Sequence, residues 1–224
     1  MKFLCTFSNG NVGVVQELAC YLAEKGESFW YLEHPLLPGP GRTSRLDCYD
    51  AGRLATSERL GGAVRGSFFR YLQAFRTTLA AARARRGKID TFIAASNLDC
   101  VAAKLGAWPL SPKIVYVSID FRPRRFANLV MNCVFRIADR LAYRWATVVW
   151  HSYPDATALK PYARPHKSLE TLHGNNYRRI HRKSFAERDR FALVFLGGLS
   201  PVARLEDMFH ALKTLSGRFP SISL

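Results

Sequence analysis

MKFLCTFSNGNVGVVQELACYLAEKGESFWYL, residues 1–32, is a strand, a turn, a helix and a second strand in that order. Lys2–Phe7 is a short apolar run of strand type, and Ser8–Gly13 is a polar turn with two glycines. Val15, Leu18, Ala19 and Leu22 then recur at helical spacing until Gly26 stops the helix. Phe29–Leu32 returns to strand character. Such a β-loop-α-β unit points to an α/β chain, a Rossmann-like parallel sheet covered by helices.

The alternation continues downstream. A Pro/Gly loop over 34–45 precedes a short strand at Leu46–Tyr49, and a long amphipathic helix carries Val64, Phe68, Leu72, Phe75 and Leu79 on its apolar side. Strands are expected at Ile89–Ala94 and Lys113–Ser118, with a short helix, Asp99–Gly106, between them. From Phe126 to Trp145, Val130, Cys133, Ile137 and Leu141 line one helical face, and Arg136, Arg140 and Arg144 line another. Thr147–Trp150 and Leu169–Leu172 read as strands, with one or two helical turns at Pro154–Leu159. Residues 177–190 are polar, basic and aperiodic, as a linker would be. After them come an apolar strand at Phe191–Leu196, a helix from Arg204 to Leu215, and the opening of a strand at Pro220–Leu224. The expected organisation is a domain over 1–176, the linker, and the truncated start of a second domain over 191–224.

Composition narrows the class. The chain has 224 residues, 48% hydrophobic and 22% charged, which is globular. No apolar run reaches the ~18 residues of a membrane span, and the glycine-rich start is too polar for a secretory leader, so a cytoplasmic chain is expected. The five cysteines are scattered, without metal-ligand spacing, and are expected as buried thiols; the six histidines form no H-x-x-x-H pair. No metal site is expected.

Charge is the unusual property. Lys and Arg total 33 against 17 acidic residues, a net +16, and 24 of the 33 are Arg. The excess gathers in 42–88, at +8, while 1–41 sums to −2. Such a field attracts polyanions. Nucleic acid is disfavoured, because no RNP, KH, helix-turn-helix or zinc-finger pattern is present.

Three groups can carry chemistry. Asn9, Gly10 and Gly13 lie in the first turn, where the free N–H groups of a helix N-terminus hold anions or where glycine simply permits a tight turn. The spacing is neither a dinucleotide fingerprint nor a P-loop. Asp99 and Asp120 follow two expected strands and would point into a crevice at the strand ends, each as a general base or as a structural group; for Asp99 a helix cap is the competing role. Arg122 and Arg124, with Arg125 and the 136–144 arginines, suit a phosphate-bearing acceptor or an anionic membrane surface, or form a solvated face.

The chain resembles the GT-B glycosyltransferases of the glycogen-synthase-like family four. Four stretches carry the likeness in order: Met1–Lys25; Ala138-Asp139-Arg140 through Trp150-His151-Ser152; Leu172-His173-Gly174-Asn175-Asn176-Tyr177; and Phe195-Leu196-Gly197-Gly198-Leu199-Ser200-Pro201. The resemblance implies a GT-B fold and sugar transfer from a nucleotide-sugar donor to a glycan or lipid-linked acceptor, with no cofactor and with Asp120 or Asp99 nearest the acceptor. The donor-side loop would be Gly197 and Gly198 with Arg204. The chain departs from the pattern there: Gly198 and Ala203 stand where the family has its basic pair, Asn176 stands for an aspartate, and the family's E-x7-E glutamates do not occur. The resemblance therefore implies an acceptor domain with an incomplete donor domain, inactive in isolation; the basic faces at Arg122–Arg125 and Arg136–Arg144 would place the full-length form on the cytoplasmic face of a membrane. A non-catalytic basic module for an anionic acceptor or membrane is the alternative.

Overall fold

The computed structural model describes residues 2–9, 14–35, 43–62, 66–119, 126–151, 160–171 and 205–218. The chain divides into two compact units, 1–175 and 176–224. In the second, the described element is one helix, α5 (Leu205–Ser216). The turn at 10–13, the helical turns at 154–159, the linker and the strands expected near 191 and 220 lie outside the described residues.

The first unit is one mixed sheet. Its strands are β1 (Phe3–Asn9), β2 (Phe29–Pro35), β3 (Ser44–Asp50), β4 (Arg53–Leu60), β5 (Thr91–Ala94), β6 (Lys113–Ser118), β7 (Val148–His151) and β8 (Ser168–Glu170). The spatial order is β4-β3-β2-β1-β5-β6-β7-β8. The β2-β1-β5-β6-β7-β8 part is parallel. β3 runs antiparallel to both its neighbours, β2 and β4. The expected Rossmann-like α/β architecture is what forms.

The helices are α1 (Val14–Glu24), α2 (Ser67–Ala84), α3 (Asn97–Ala107) and α4 (Leu129–Trp145). α1 closes one face, with Val15, Ala19 and Leu22 against Cys5, Phe29, Ile93 and Val117. The other face joins Leu4, Leu32, Phe92 and Ile114 to Ala81, Ala82, Cys100, Ala103 and Ala142 of α2, α3 and α4. Fully buried side chains such as Phe29 and Phe92 contribute roughly 1.5–3 kcal/mol each. Small residues let α2 and α3 approach closely: a Cβ on Gly106 would stand 2.6 Å from the Leu79 carbonyl oxygen.

Three sequence expectations are corrected. No element is expected over 53–60, yet Arg53–Leu60 pairs along β3 through a two-residue turn whose Ala51 and Gly52 have φ of 45° and 76°. That left-handed pair matches the twist of a tight hairpin. Two helical faces are also turned. On α2, Phe68 and Leu72 are exposed, while Ala74, Thr78, Ala81 and Ala82 are buried. On α4, Leu129 and Val130 are 77% and 70% exposed, and the buried positions are Asn132, Ala138, Asp139, Ala142 and Tyr143. Ala138, Ala142 and Tyr143 pack inward as an apolar strip, and the polar groups of Asn132 and Asp139 are buried beside them. Third, only Cys5 and Cys100 are buried thiols; Cys133 is exposed. Burial pushes the Cys5 thiol up to about 12.

Candidate functional site

The parallel strands end on a common edge. β1 is followed in sequence by β2 on one side, and the chain returns through β5 on the other. In open α/β sheets a ligand crevice opens outside the carboxyl ends of the strands at such a reversal. Asn9 closes β1 at this edge, in register with Pro35. Ser118 closes β6, and the segment bearing Asp120, Arg122 and Arg124 leaves from there. Those three residues, with Gly10, Gly13, Gly197, Gly198 and Arg204, lie outside the described residues.

Asp99 is described fully. It is the third residue of α3, 1% exposed, and the cap itself is Ser96. Ser96 Oγ accepts from the Asp99 N–H and donates to Asp99 Oδ2 at 2.8 Å, so the two residues form a reciprocal cap at the helix start. Thr78 Oγ1 donates to Asp99 Oδ1 at 3.1 Å. His34 Nε2 lies 2.8 Å from Thr78 Oγ1, and His34 Nδ1 lies 2.9 Å from Ser44 Oγ. Burial lowers the His34 pKa below the ordinary 6.5, opposed by the Asp99 carboxylate. A carboxylate with both oxygens engaged and almost no exposure serves the helix start. Asp99 is therefore not the N-cap expected of it: Ser96 is the cap, and Asp99 is a residue of the first helical turn bonded to it.

A second buried network lies beneath the β6–β7 ends. Asp139 of α4 accepts from Tyr116 Oη at 2.8 Å, from Lys160 Nζ at 3.1 Å and from Tyr162 Oη. Lys160 Nζ also donates to Ser118 Oγ at 3.3 Å and lies 4.8 Å from the Tyr143 ring centroid. Tyr143 Oη sits 3.3 Å from Ser118 Oγ and 3.4 Å from His151 Nδ1. Burial first, then the Lys160 ammonium, lowers the His151 pKa, so a neutral imidazole closes β7. Burial and Asp139 raise the Tyr116 hydroxyl well above its ordinary 10. Tyr116 therefore stays a hydrogen-bond donor. This network ties β6, α4 and the segment after β7 into one rigid support for the strand edge.

Sequence reasoning did not assemble that network. Its one signal was the quoted Ala138-Asp139-Arg140 to His151 segment, which contributes three of its members, Asp139, Tyr143 and His151. Among the described residues no cluster of three or more His, Cys, Asp or Glu could hold a metal ion. No described helix is long and apolar enough to cross a membrane.

No family model matches the chain, and no curated protein matches it. Among solved structures it is similar to the crystal structure of Acinetobacter baumannii MurG, at 13% identity and a TM-score of 0.41. The likeness covers 81% of this chain and 50% of that one, so the chain spans half the length of that protein.

Proposed function

We propose that the chain is the acceptor-side part of a GT-B glycosyltransferase, family-four-like, which transfers a sugar from a nucleotide-sugar donor to a glycan or lipid-linked acceptor. One observation carries the reading: β1 and β6 end on the same sheet edge beside the strand-order reversal, so the segments holding Asn9–Gly13 and Asp120–Arg125 start from one crevice. The four motif stretches, in family order, agree with it. In this reading Asp120 is the general base for the acceptor hydroxyl. Arg122 and Arg124 neutralise acceptor phosphate, and Asn9, Gly10 and Gly13 line the crevice. Gly197, Gly198 and Arg204 approach the donor diphosphate. Charge on the leaving diphosphate is offset by basic groups and helix N-termini.

The second reading, a basic module on an anionic membrane, draws on α4. Leu129, Val130, Val134 and Ile137 are exposed beside exposed Arg140 and Arg144. An apolar stripe flanked by arginines suits the plane of an anionic bilayer surface. The two readings combine in an enzyme peripheral on the cytoplasmic face of a membrane.

The test is sugar incorporation by membranes of the source cells, where a second polypeptide can supply the donor-side part, with radiolabelled UDP-, GDP- and dTDP-sugars. Label lost on deletion of the gene for this chain, and restored by the wild-type chain but not by Asp120→Asn, is expected. Label unchanged by the deletion for every donor overturns the transferase reading.

A further inference from the structure

The β3–β4 hairpin extends the sheet past the cover of α2 and leaves a groove of about 700 Å³ between them. Leu46 and Leu60 line it from the hairpin, Phe69 and Leu72 from the first half of α2, and Ala80 and Ala84 from its second half. This size and mostly apolar lining match the usual small-molecule site. Phe69 and Leu72 are themselves exposed, as is neighbouring Phe68, so the groove continues into an apolar rim.

The polar lining is sparse and unbalanced. Gln73 Nε2 is taken by the Gly62 carbonyl at 2.6 Å. Arg85 stacks 5.7 Å from the Trp30 centroid at one end. Arg76 lies between, exposed and with no hydrogen bond or ion pair among the described residues. Glu58 is the lone carboxylate facing these two guanidinium groups. An amphipathic partner helix needs pockets at its i, i+3 and i+4 anchors, and the alanine-lined half offers none. A methylene chain needs only a continuous apolar strip.

We propose that this groove binds the single hydrocarbon chain of an anionic amphiphile, an alkyl or prenyl phosphate or a fatty carboxylate, with its charged end at Arg76. The site is independent of the transferase reading.

Titration calorimetry on the full chain, with dodecyl phosphate and dodecanoate kept below their micellar concentrations, tests it. Saturable binding is expected, weakened at least tenfold by Ala84→Phe, which fills the groove from an exposed position, and about tenfold by Arg76→Ala. Dodecanol should bind about tenfold more weakly than the anions, and inorganic phosphate should not bind. Arg83→Ala, exposed on the same helix outside the groove, should change nothing. A preference between the two anions identifies the head group within the proposed class. No saturable binding of either anion, equal affinity in Ala84→Phe, or equal affinity for dodecanol overturns the proposal. A dimer in sedimentation that Ala84→Phe disperses assigns the groove to a second copy, and also overturns it.

Discussion

Lys160 Nζ lies 3.1 Å from Asp139 Oδ2, with the two side chains only 5% and 4% exposed. A charge pair so buried is costly to form and costlier to break, because removing one partner leaves the other uncompensated. Lys160→Met should therefore destabilise the chain by about 3–5 kcal/mol, measured by urea unfolding. The double variant Lys160→Met/Asp139→Leu should lose less than the two single losses combined. Full additivity would mean the pair is not coupled.

Gly106→Ala should also destabilise. The added methyl would stand 2.6 Å from the Leu79 carbonyl oxygen and 2.7 Å from Ala82 Cβ. Alanine is the better helix former by about 1 kcal/mol, but overpacking costs about 1–3 kcal/mol. Backbone cannot swing away as a side-chain tip can, so the steric cost wins. A lowered thermal midpoint is the expected readout, and a raised one would show that α2 and α3 can part.

Acidification should weaken the fold through His34 and His151. Both have pKa values below the ordinary 6.5, mainly from burial. The folded state then binds fewer protons than the unfolded state between the lowered value and 6.5. Stability is thus full above about pH 6.5 and is lost as pH falls through the lowered folded values, at up to about 1.4 kcal/mol per pH unit for each histidine. Urea midpoints at pH 7.5, 6.0 and 5.0 should fall in that order. His34→Gln should flatten the slope, and an unchanged slope would clear His34 of any part in it.

Membrane docking predicts a specific salt dependence. Arg136, Arg140 and Arg144 recur along α4, each worth about 1 kcal/mol near an anionic surface. Replacing all three by alanine should reduce co-sedimentation with phosphatidylglycerol vesicles by roughly a hundredfold in affinity at low salt. Neutral phosphatidylcholine vesicles should bind neither protein. Equal binding to both lipids would remove the electrostatic component.

The legible parts of this fold were those with a buried apolar side. β1, β6 and α1 announce themselves because their core-facing residues alternate or recur at helical spacing. β4 does not, since seven of its eight residues are exposed and it presents no apolar face. α4 misled for the opposite reason. Its large apolar residues are at helical spacing, but the buried side carries the small Ala138 and Ala142 and Tyr143 together with polar Asn132 and Asp139. Asn132 bonds the Phe126 and Asn128 carbonyls, and Asp139 bonds partners 23 residues away on either side.

The site divided in the same way. Strand ends and glycine turns could be read locally, so the position of the crevice edge followed from order alone. Which acids serve it could not be read locally. A helix-start role for Asp99 was readable locally, three residues after Ser96, but its burial against Thr78 was not, since nothing in local spacing couples positions 78 and 99.

An open sheet must protect itself at its margins, where unpaired peptide groups invite another chain to add on. Among the described residues the two margins here are guarded differently. β8 is only three residues long, too short to template a partner strand. β4 is a full eight residues, and what protects it is charge: Arg53, Glu58 and Arg59 sit along an otherwise open rail. Neutralising those three side chains should make this margin the place where a second chain adds on, even though none of them touches the core.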